Sequence, residues 1–515
     1  MSHARSLGWL GVGALLFAIG PHVPEITLPG VWFAVAFLLH GWRGMPTRPG
    51  LPCLGMAFYA AEAVANRGTI PVAGPLYFVI VASQTALGLV PFVLDRWVGR
   101  RIVGWAATLV FPMAFVAQEL LRSRLPHGPG TWGSLAYTQY GNLALMQLAA
   151  VTGIWGITFT VTWGASVVSW AWERGFASST VRPLLATYVG LLATITVAGG
   201  LRVSLSPAPA SSIRAAAVSF PRDLLTQREM FRVADGRIPV EGAMAEKVAR
   251  LHEWFFENTE REARAGARLV AWPEMNFLVL AADEPAALAR AQRLAAREHI
   301  YLAMAIGAVH PGAPKPFQNK TVLVDPSGRI AYSYLKSWPV VAWEEGVMQP
   351  GDGQLPVVPT ELGRLSTAIC FDGDHPDFMR QVGRGGAGLA ILPVNDWAAV
   401  KRSHLEMAAF RAIENGTPLL RPASFGISVA FDALGRVLGA TDHFGGAPTM
   451  VVQIPVGSVP TLYPHVGDSF AWLCVVGCVL APVLARGRAG TLQRRPAANR
   501  DINHFSGTNM DTRAL

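Results

Sequence analysis

Hydrophobic positions are unevenly spread along this chain. Long apolar runs occupy about 7–20, 27–42, 51–66, 72–94, 102–120, 143–171, 183–201 and 466–485. Several approach the roughly 20 residues that a membrane-crossing helix needs. The first two are short and separated by Pro21, Pro24 and Pro29, a spacing that predicts a tilted or re-entrant hairpin. A signal peptide is the other reading of the first run after Arg5, but its small-residue cleavage pattern is poor and more apolar runs follow at once. Between 205 and 460 the pattern changes. Short β-type runs at 213–219, 268–272, 300–308, 320–325, 329–335, 365–371 and 389–393 alternate with helical stretches at 243–266, 284–297 and 398–415. Val248, Leu251, Trp254 and Phe255 share one face of the first helix, and Asp325-Pro326-Ser327-Gly328 reads as a hairpin turn. This alternation predicts an α/β layered domain. The chain thus divides into 1–201, about seven membrane helices; 202–462, the α/β domain; 463–487, a last membrane helix; and 488–515, a polar, disordered tail.

Composition agrees with this division. Hydrophobic residues make up 51% and charged residues 15% of the 515, with a mean hydropathy of +0.33. Soluble domains carry roughly 25% charged residues, so a purely soluble or a disordered chain is excluded. The net charge of +9 comes from 38 Arg against five Lys, scattered rather than clustered; it reads as loop charge on a membrane protein and not as a nucleic-acid surface. With the N-terminus inside, twelve Arg fall on inner segments and three (Arg67, Arg122, Arg124) on outer short loops. That asymmetry places the α/β domain outside. Glu62 and Glu119 lie within apolar runs and read as helix-end or cavity-lining residues.

Four cysteines exclude a disulfide scaffold. Cys53, Cys474 and Cys478 fall in apolar runs, leaving Cys370 alone in the α/β domain. Cys370 ends the run Thr367-Ala368-Ile369-Cys370, where an α/β domain can present a nucleophile, although a lone Cys is commonly a small core residue. A thiol nucleophile needs a base and a charge for the developing oxyanion. Two other strand ends offer them: Trp272-Pro273-Glu274 and Tyr334-Leu335-Lys336. Glu274, Lys336 and Cys370 follow in that order, about 60 and 34 residues apart. His310, His375 and His404 are isolated in the sequence and read as structural or surface residues. Neither metal-ligand spacing nor a Gly-rich phosphate loop is found.

These motifs resemble the nitrilase (carbon–nitrogen hydrolase) superfamily: Trp-Pro-Glu, a Lys after the Asp-Pro-Ser-Gly-Arg hairpin, and the Cys370-Phe371-Asp372 elbow. With the apolar runs around them, residues 7–485 resemble the apolipoprotein N-acyltransferase family, in which Asn395-Asp396-Trp397, 407–414 and Pro418-Leu419-Leu420-Arg421 follow the elbow. The resemblance implies a multi-helix integral membrane domain plus an extracytoplasmic αββα sandwich in a bacterial inner membrane. It implies Glu274, Lys336 and Cys370 as catalytic residues, with Glu344, Phe371 and Asp372 in support. It also implies a phospholipid acyl donor, a diacylglyceryl lipoprotein acceptor, a Cys thioester, and no metal, organic cofactor or nucleic acid. The alternative with the same triad is a membrane-anchored amidase or nitrilase. The sequence departs from the family pattern at Asp372, where Glu is usual, at Ser424-Phe425-Gly426, and in the five residues between Glu344 and Pro350, where a longer loop is usual.

Overall fold

The computed structural model describes residues 2–20, 24–125, 128–207, 211–341 and 343–492. The tail from 493 on, with Arg494 and Arg495, and Pro21 near the first turn lie outside the described residues. Residues 488–492, expected in the tail, instead continue the helix Ser469–Leu492.

The N-terminal half is a helical bundle. Its first two runs form helices of 17 residues (His3–Ile19) and 20 residues (Pro24–Arg43) packed on each other, not half-length re-entrant segments. Gly13 and Gly41 permit this approach, since a Cβ on either would lie 2.9 Å from the facing helix. Thr47–Ala65, Pro75–Val98 and Val181–Leu205 follow the expected runs within a few residues, whereas the run expected at 102–120 becomes α-helical only at Val110–Ser123, after the 3-10 turn Trp105–Leu109. The run at 143–171 is broken into Leu143–Met146, Ala149–Thr152 and Ile154–Arg174. Gly153 causes the last break: it turns the chain with φ 65°, and the Tyr463 ring lies 2.4 Å from where a Cβ would stand. Among the described residues, Pro75–Arg101 and Val181–Leu205 are long and apolar enough to cross a membrane; His3–Ile19, Leu143–Thr152 and Ser469–Val483 are apolar but shorter. Glu119 is buried and satisfied by the Leu135 N–H at 2.9 Å and the hydroxyls of Ser134 and Thr158 at 2.8 and 2.9 Å. It is a structural acceptor inside the bundle.

The second half is a two-sheet α/β sandwich. The first sheet runs, in spatial order, Thr449–Pro455, Ser212–Val218, Leu269–Ala271, Tyr301–Val309, Phe317–Val324 and Ile330–Leu335, with Phe277–Leu280 added along Tyr301–Val309. The second runs Val437–Asp442, Ile427–Phe431, Leu419–Arg421, Leu389–Ile391, Gly363–Thr367 and Val357–Thr360. Side-chain alternation along a strand decides which layer each residue fills. Leu269 and Ala271 face the second sheet in one core, while Val270 and Trp272 face Gly242–Arg264 and Glu284–Glu298 in another. Helices Pro376–Arg384 and Lys401–Asn415 lie beside the second sheet. The result is a nitrilase-like α/β domain.

The inter-sheet core does not stop at the domain edge. Val116, Leu120, Tyr137, Leu145, Trp155 and Ile157 of the bundle join the same apolar cluster as Leu389, Ala408 and Phe410. Hydrogen bonds cross beside it: Trp397 Nε1 donates to Gly68 O at 2.8 Å, and the Ile154 N–H to Glu414 Oε1 at 3.1 Å. The far end of the bundle gathers Arg43, Asp95 and Glu173, with Arg43 to Asp95 at 2.6 Å.

Gly416 ends Lys401–Asn415 in a left-handed turn (φ 59°), and a Cβ there would stand 1.9 Å from Val459 O. Gly416→Ala should therefore destabilise the fold by about 2 kcal/mol or more, combining left-handed strain with a forced backbone shift. Thermal unfolding of the purified variant checks it; an unchanged Tm contradicts it.

Candidate active site

Three strand ends converge between the sheets. Leu269–Ala271 stops at Pro273, which has no N–H to extend the ladder, and the next residue is Glu274. Ile330–Leu335 ends at Lys336. Gly363–Thr367 ends earlier than its apolar run suggests. Cys370 is not its last residue but opens the 3-10 turn Cys370–Asp374, held by its own N–H donating to Pro393 O at 2.9 Å. The run stays apolar to Phe371 because the turn is buried, so hydrophobicity alone could not locate the strand end. Cys370 has φ 48°. Two other non-glycine residues with positive φ stand at this site: Met275 (φ 61°), directly after Glu274, and Phe425 (φ 49°), directly after Ser424. Strain of this kind costs about 1–3 kcal/mol per residue and persists where surrounding structure over-determines it.

Lys336 is the centre of the cluster. Its Nζ donates to Glu274 Oε1 at 2.8 Å and to Glu344 Oε1 and Oε2 at 2.9 and 2.7 Å. Lys336 and Glu344 are fully buried and Glu274 nearly so. Asn319 Nδ2 donates to Glu274 Oε1 at 2.7 Å, the Asn395 N–H to Glu274 Oε2 at 2.8 Å, and the Val340 N–H to Glu344 Oε2 at 2.7 Å. Burial by itself lowers the Lys336 pKa, but Glu274 and then Glu344 outweigh it and hold the ammonium well above its usual range. Burial lifts the Glu344 carboxyl, against the pull of Lys336. Burial, followed by the negative charge of Glu274, pushes the Cys370 thiol well above its usual range. The resting state is a neutral thiol beside a charged lysine, so an attack must remove the thiol proton as it proceeds.

The other expected residues also meet here. Asp372 braces the site: Oδ1 accepts from the Ser337 and Trp338 N–H groups at 3.1 and 2.9 Å, and Oδ2 from Tyr334 OH at 2.7 Å and the Ile369 N–H at 3.0 Å. It therefore ties the Cys370 turn to the chain just after Lys336. Phe371 packs edge-on against His375, and Trp338 stacks on the same ring with centroids 4.0 Å apart. His375 and His404 are not isolated as their sequence positions suggest. Burial draws His375 down to about 4. His404 sits between Asp374 and Asp396, which against the cost of burial raise it to about 9.

Two elements escaped sequence reading. Asn319 is buried, but it stands in the polar run Gln318-Asn319-Lys320-Thr321 of strand Phe317–Val324, where nothing in the sequence singles it out. Helix Gln227–Ala234 covers the site. Gln227 Nε2 donates to Asn395 Oδ1 at 3.0 Å and also to Asp396 O, and Phe231 lies 4.4 Å from Trp343, next to Glu344. Its eight residues are too few for periodicity to declare.

A buried Glu-Lys-Cys cluster at the strand ends of a two-sheet sandwich defines a carbon–nitrogen hydrolase domain. Residues 237–462 match the family model described as Carbon-nitrogen hydrolase, and residues 4–167 match that described as Apolipoprotein N-acyltransferase N-terminal domain. The chain is 27% identical to an apolipoprotein N-acyltransferase from Geobacter metallireducens, over 93% of this chain and 91% of the relative. It is also 27% identical to one from Rhodopseudomonas palustris, over 90% and 87%. An amidase from Nesterenkonia sp. aligns in three dimensions over 47% of this chain and 90% of that one, at 22% identity and a TM-score of 0.39. Both halves are matched, and relatives named apolipoprotein N-acyltransferase align along most of the chain, so it resembles that family over nearly its whole length.

Asp372→Ala leaves four donors without their acceptor; the two buried ones, Tyr334 OH and the Ile369 N–H, each cost about 1–3 kcal/mol if nothing replaces it, and the part-buried Ser337 and Trp338 N–H groups cost less. A loss of about 3 kcal/mol or more is expected in chemical denaturation, with Asp372→Asn losing less because it keeps one acceptor oxygen. Equal losses in the two variants would contradict the bracing role.

Proposed function

We propose that this membrane acyltransferase moves a fatty acyl chain from a phospholipid, through a thioester on Cys370, to the α-amine of a diacylglyceryl-cysteine at the N-terminus of a lipoprotein. The observation that carries the proposal is the buried Lys336 bound to Glu274 and Glu344 beside the Cys370 turn, in a chain whose helical half also matches the N-acyltransferases.

Glu274 takes the Cys370 proton as Sγ attacks the acyl ester carbon. The carbonyl oxygen becomes anionic and is held by Lys336 and a backbone N–H of the Cys370 turn. Because all three Nζ hydrogens are engaged at rest, the oxyanion takes one over from a carboxylate. Collapse expels the lysophospholipid alkoxide, which recovers the proton from Glu274, and leaves the thioester. The acceptor amine then attacks the thioester carbon and gives its proton to Glu274. The second tetrahedral intermediate collapses to the amide, and the departing thiolate regains that proton. Glu344 holds Lys336 in place, and Phe371 and Asp372 support the turn.

The same reading makes the bundle a multi-pass inner-membrane domain, 1–201, with Ser469–Leu492 as its last span and 202–462 as the periplasmic catalytic domain. The Arg-rich segments support it: Arg43 and Glu173 meet at one end of the bundle, while Gly68, Arg124 and Ile154 meet the α/β domain at the other. The site then opens near outer-leaflet lipid.

Cys370→Ser should abolish turnover and leave the protein folded. Lys336→Ala and Glu274→Ala should each cut acyl-enzyme formation by about 10²–10³, whereas Glu344→Ala retains a measurable part. Protein-bound label after incubation with a labelled phospholipid, counted under denaturing conditions, checks this. Full label on Glu274→Ala with none on Glu344→Ala would reverse the two roles.

Reporter fusions after Arg174 and after Ser206 should report opposite compartments, with the first cytoplasmic. Matching signals would remove the periplasmic placement.

A further inference from the structure

We infer that His404 is a positioning residue for acyl-enzyme formation, a buried cation that ties the end of the Cys370 turn to the segment holding Glu274 and to a loop of the helical bundle. It touches neither reacting group and acts through two carboxylates. Its place rests on the roles proposed above for Glu274 and Cys370.

His404 stands in the first turn of Lys401–Asn415 and is buried. Nδ1 lies 2.6 Å from Asp396 Oδ1, and Nε2 lies 3.2 Å from Asp374 Oδ1. The second contact is an ion pair rather than an aligned hydrogen bond. A ring with a carboxylate oxygen close to each nitrogen is held as an imidazolium, because a neutral ring would set a bare nitrogen lone pair against one of the two negative charges.

Each carboxylate leads to the site. Asp374 is the last residue of the turn that Cys370 opens. Asp396 follows Asn395, whose N–H donates to Glu274 Oε2. Arg421 Nη2 donates to Asp396 Oδ2 at 2.8 Å, and a Cβ at Gly426 would lie 2.3 Å from that same oxygen, so Asp396 is confined on both sides. The third arm comes from the bundle. Trp132 Nε1 donates to Asp374 Oδ2 at 2.6 Å, and the Thr131 N–H and hydroxyl both donate to Asp374 O, at 3.1 and 2.8 Å. The Trp132 ring lies 5.5 Å from the His404 ring.

The geometry gives His404 a task that packing alone does not require. The strained Cys370 turn belongs to the strand end Gly363–Thr367, while the donor to Glu274 follows Leu389–Ile391. A cation between Asp374 and Asp396 sets the distance between them, and the Trp132 loop makes that setting depend on the docked bundle. Displacement of a reacting group by about 1 Å can cost 10²-fold in rate.

The test uses the full-length protein in nanodiscs, with His404→Gln and His404→Gln/Asp374→Asn. One readout is the rate of Cys370 carbamidomethylation by iodoacetamide, followed on the Cys370 peptide by mass spectrometry. The others are kcat and KM for acyl-enzyme formation from a labelled phospholipid, and Tm. His404→Gln should slow both Cys370 alkylation and kcat by about 10- to 100-fold per folded molecule, with KM within about threefold. The double variant should recover Tm, because the unpaired Asp374 charge is gone, but not the rates. Wild-type rates in His404→Gln overturn the inference, as does recovery of both Tm and rates in the double variant, which would make the imidazolium a charge filler only. If His404→Gln does not accumulate, Trp132→Phe removes one hydrogen bond to Asp374. An alkylation rate reduced about threefold supports the tie, and an unchanged rate overturns it. An absent phospholipid label on wild type, with alkylation still dependent on His404, would remove the acyl-donor reading and leave this inference standing.

Discussion

The molecule depends on one buried ammonium ion. Lys336 is out of water and would be expelled or neutralised without the two carboxylates that surround it. Desolvating such a charge costs several kcal/mol, which is offset only by close geometry and by satisfying every remaining lone pair. That requirement explains the company it keeps. Glu274 and Glu344 supply the charge, Asn319, Asn395 and Val340 supply donors to those carboxylates, and each donor fixes another stretch of chain. Burial, and after it the negative charge of Glu274, keep the neighbouring thiol neutral at rest.

Those stretches come from both sheets. Asn319 and Lys336 stand on the first, and Asn395 and Cys370 follow strands of the second. Asp372 and the His404 pair repeat the pattern one layer out, with a charged acceptor or donor joining segments distant in sequence. The sandwich interior is apolar over most of its extent, and the polar groups gather where the strand ends leave backbone donors free to meet them.

The bundle is part of the same construction. Its loop at 128–140 meets the end of the Cys370 turn, and its core residues continue the inter-sheet core without a break. A helical bundle and an α/β domain joined this way share rigidity, so the site residues hold a fixed position relative to the bundle. A flexible tether would not provide that.

Much of this was legible in the chain itself. The apolar runs located the bundle, the β-α alternation located the sandwich, and Trp272-Pro273-Glu274, Lys336 and Cys370 stood out as rare chemistry at strand ends. Local properties determine these features: hydrophobic period, a proline that stops a ladder, one thiol among polar neighbours. Only the tertiary structure decided the rest. Short polar or two-residue strands such as Val394–Asn395 carry too little pattern to be seen, and the eight-residue cover Gln227–Ala234 is shorter than the window periodicity needs. At the Gly153 break, the space a Cβ would need is filled by Tyr463, more than 300 residues away. His404 looked isolated because its partners lie 8 and 30 residues off and meet it only once the second sheet has formed. Charge pairing across strands is a property of register and packing, and a linear sequence records the charges without recording which of them will face each other.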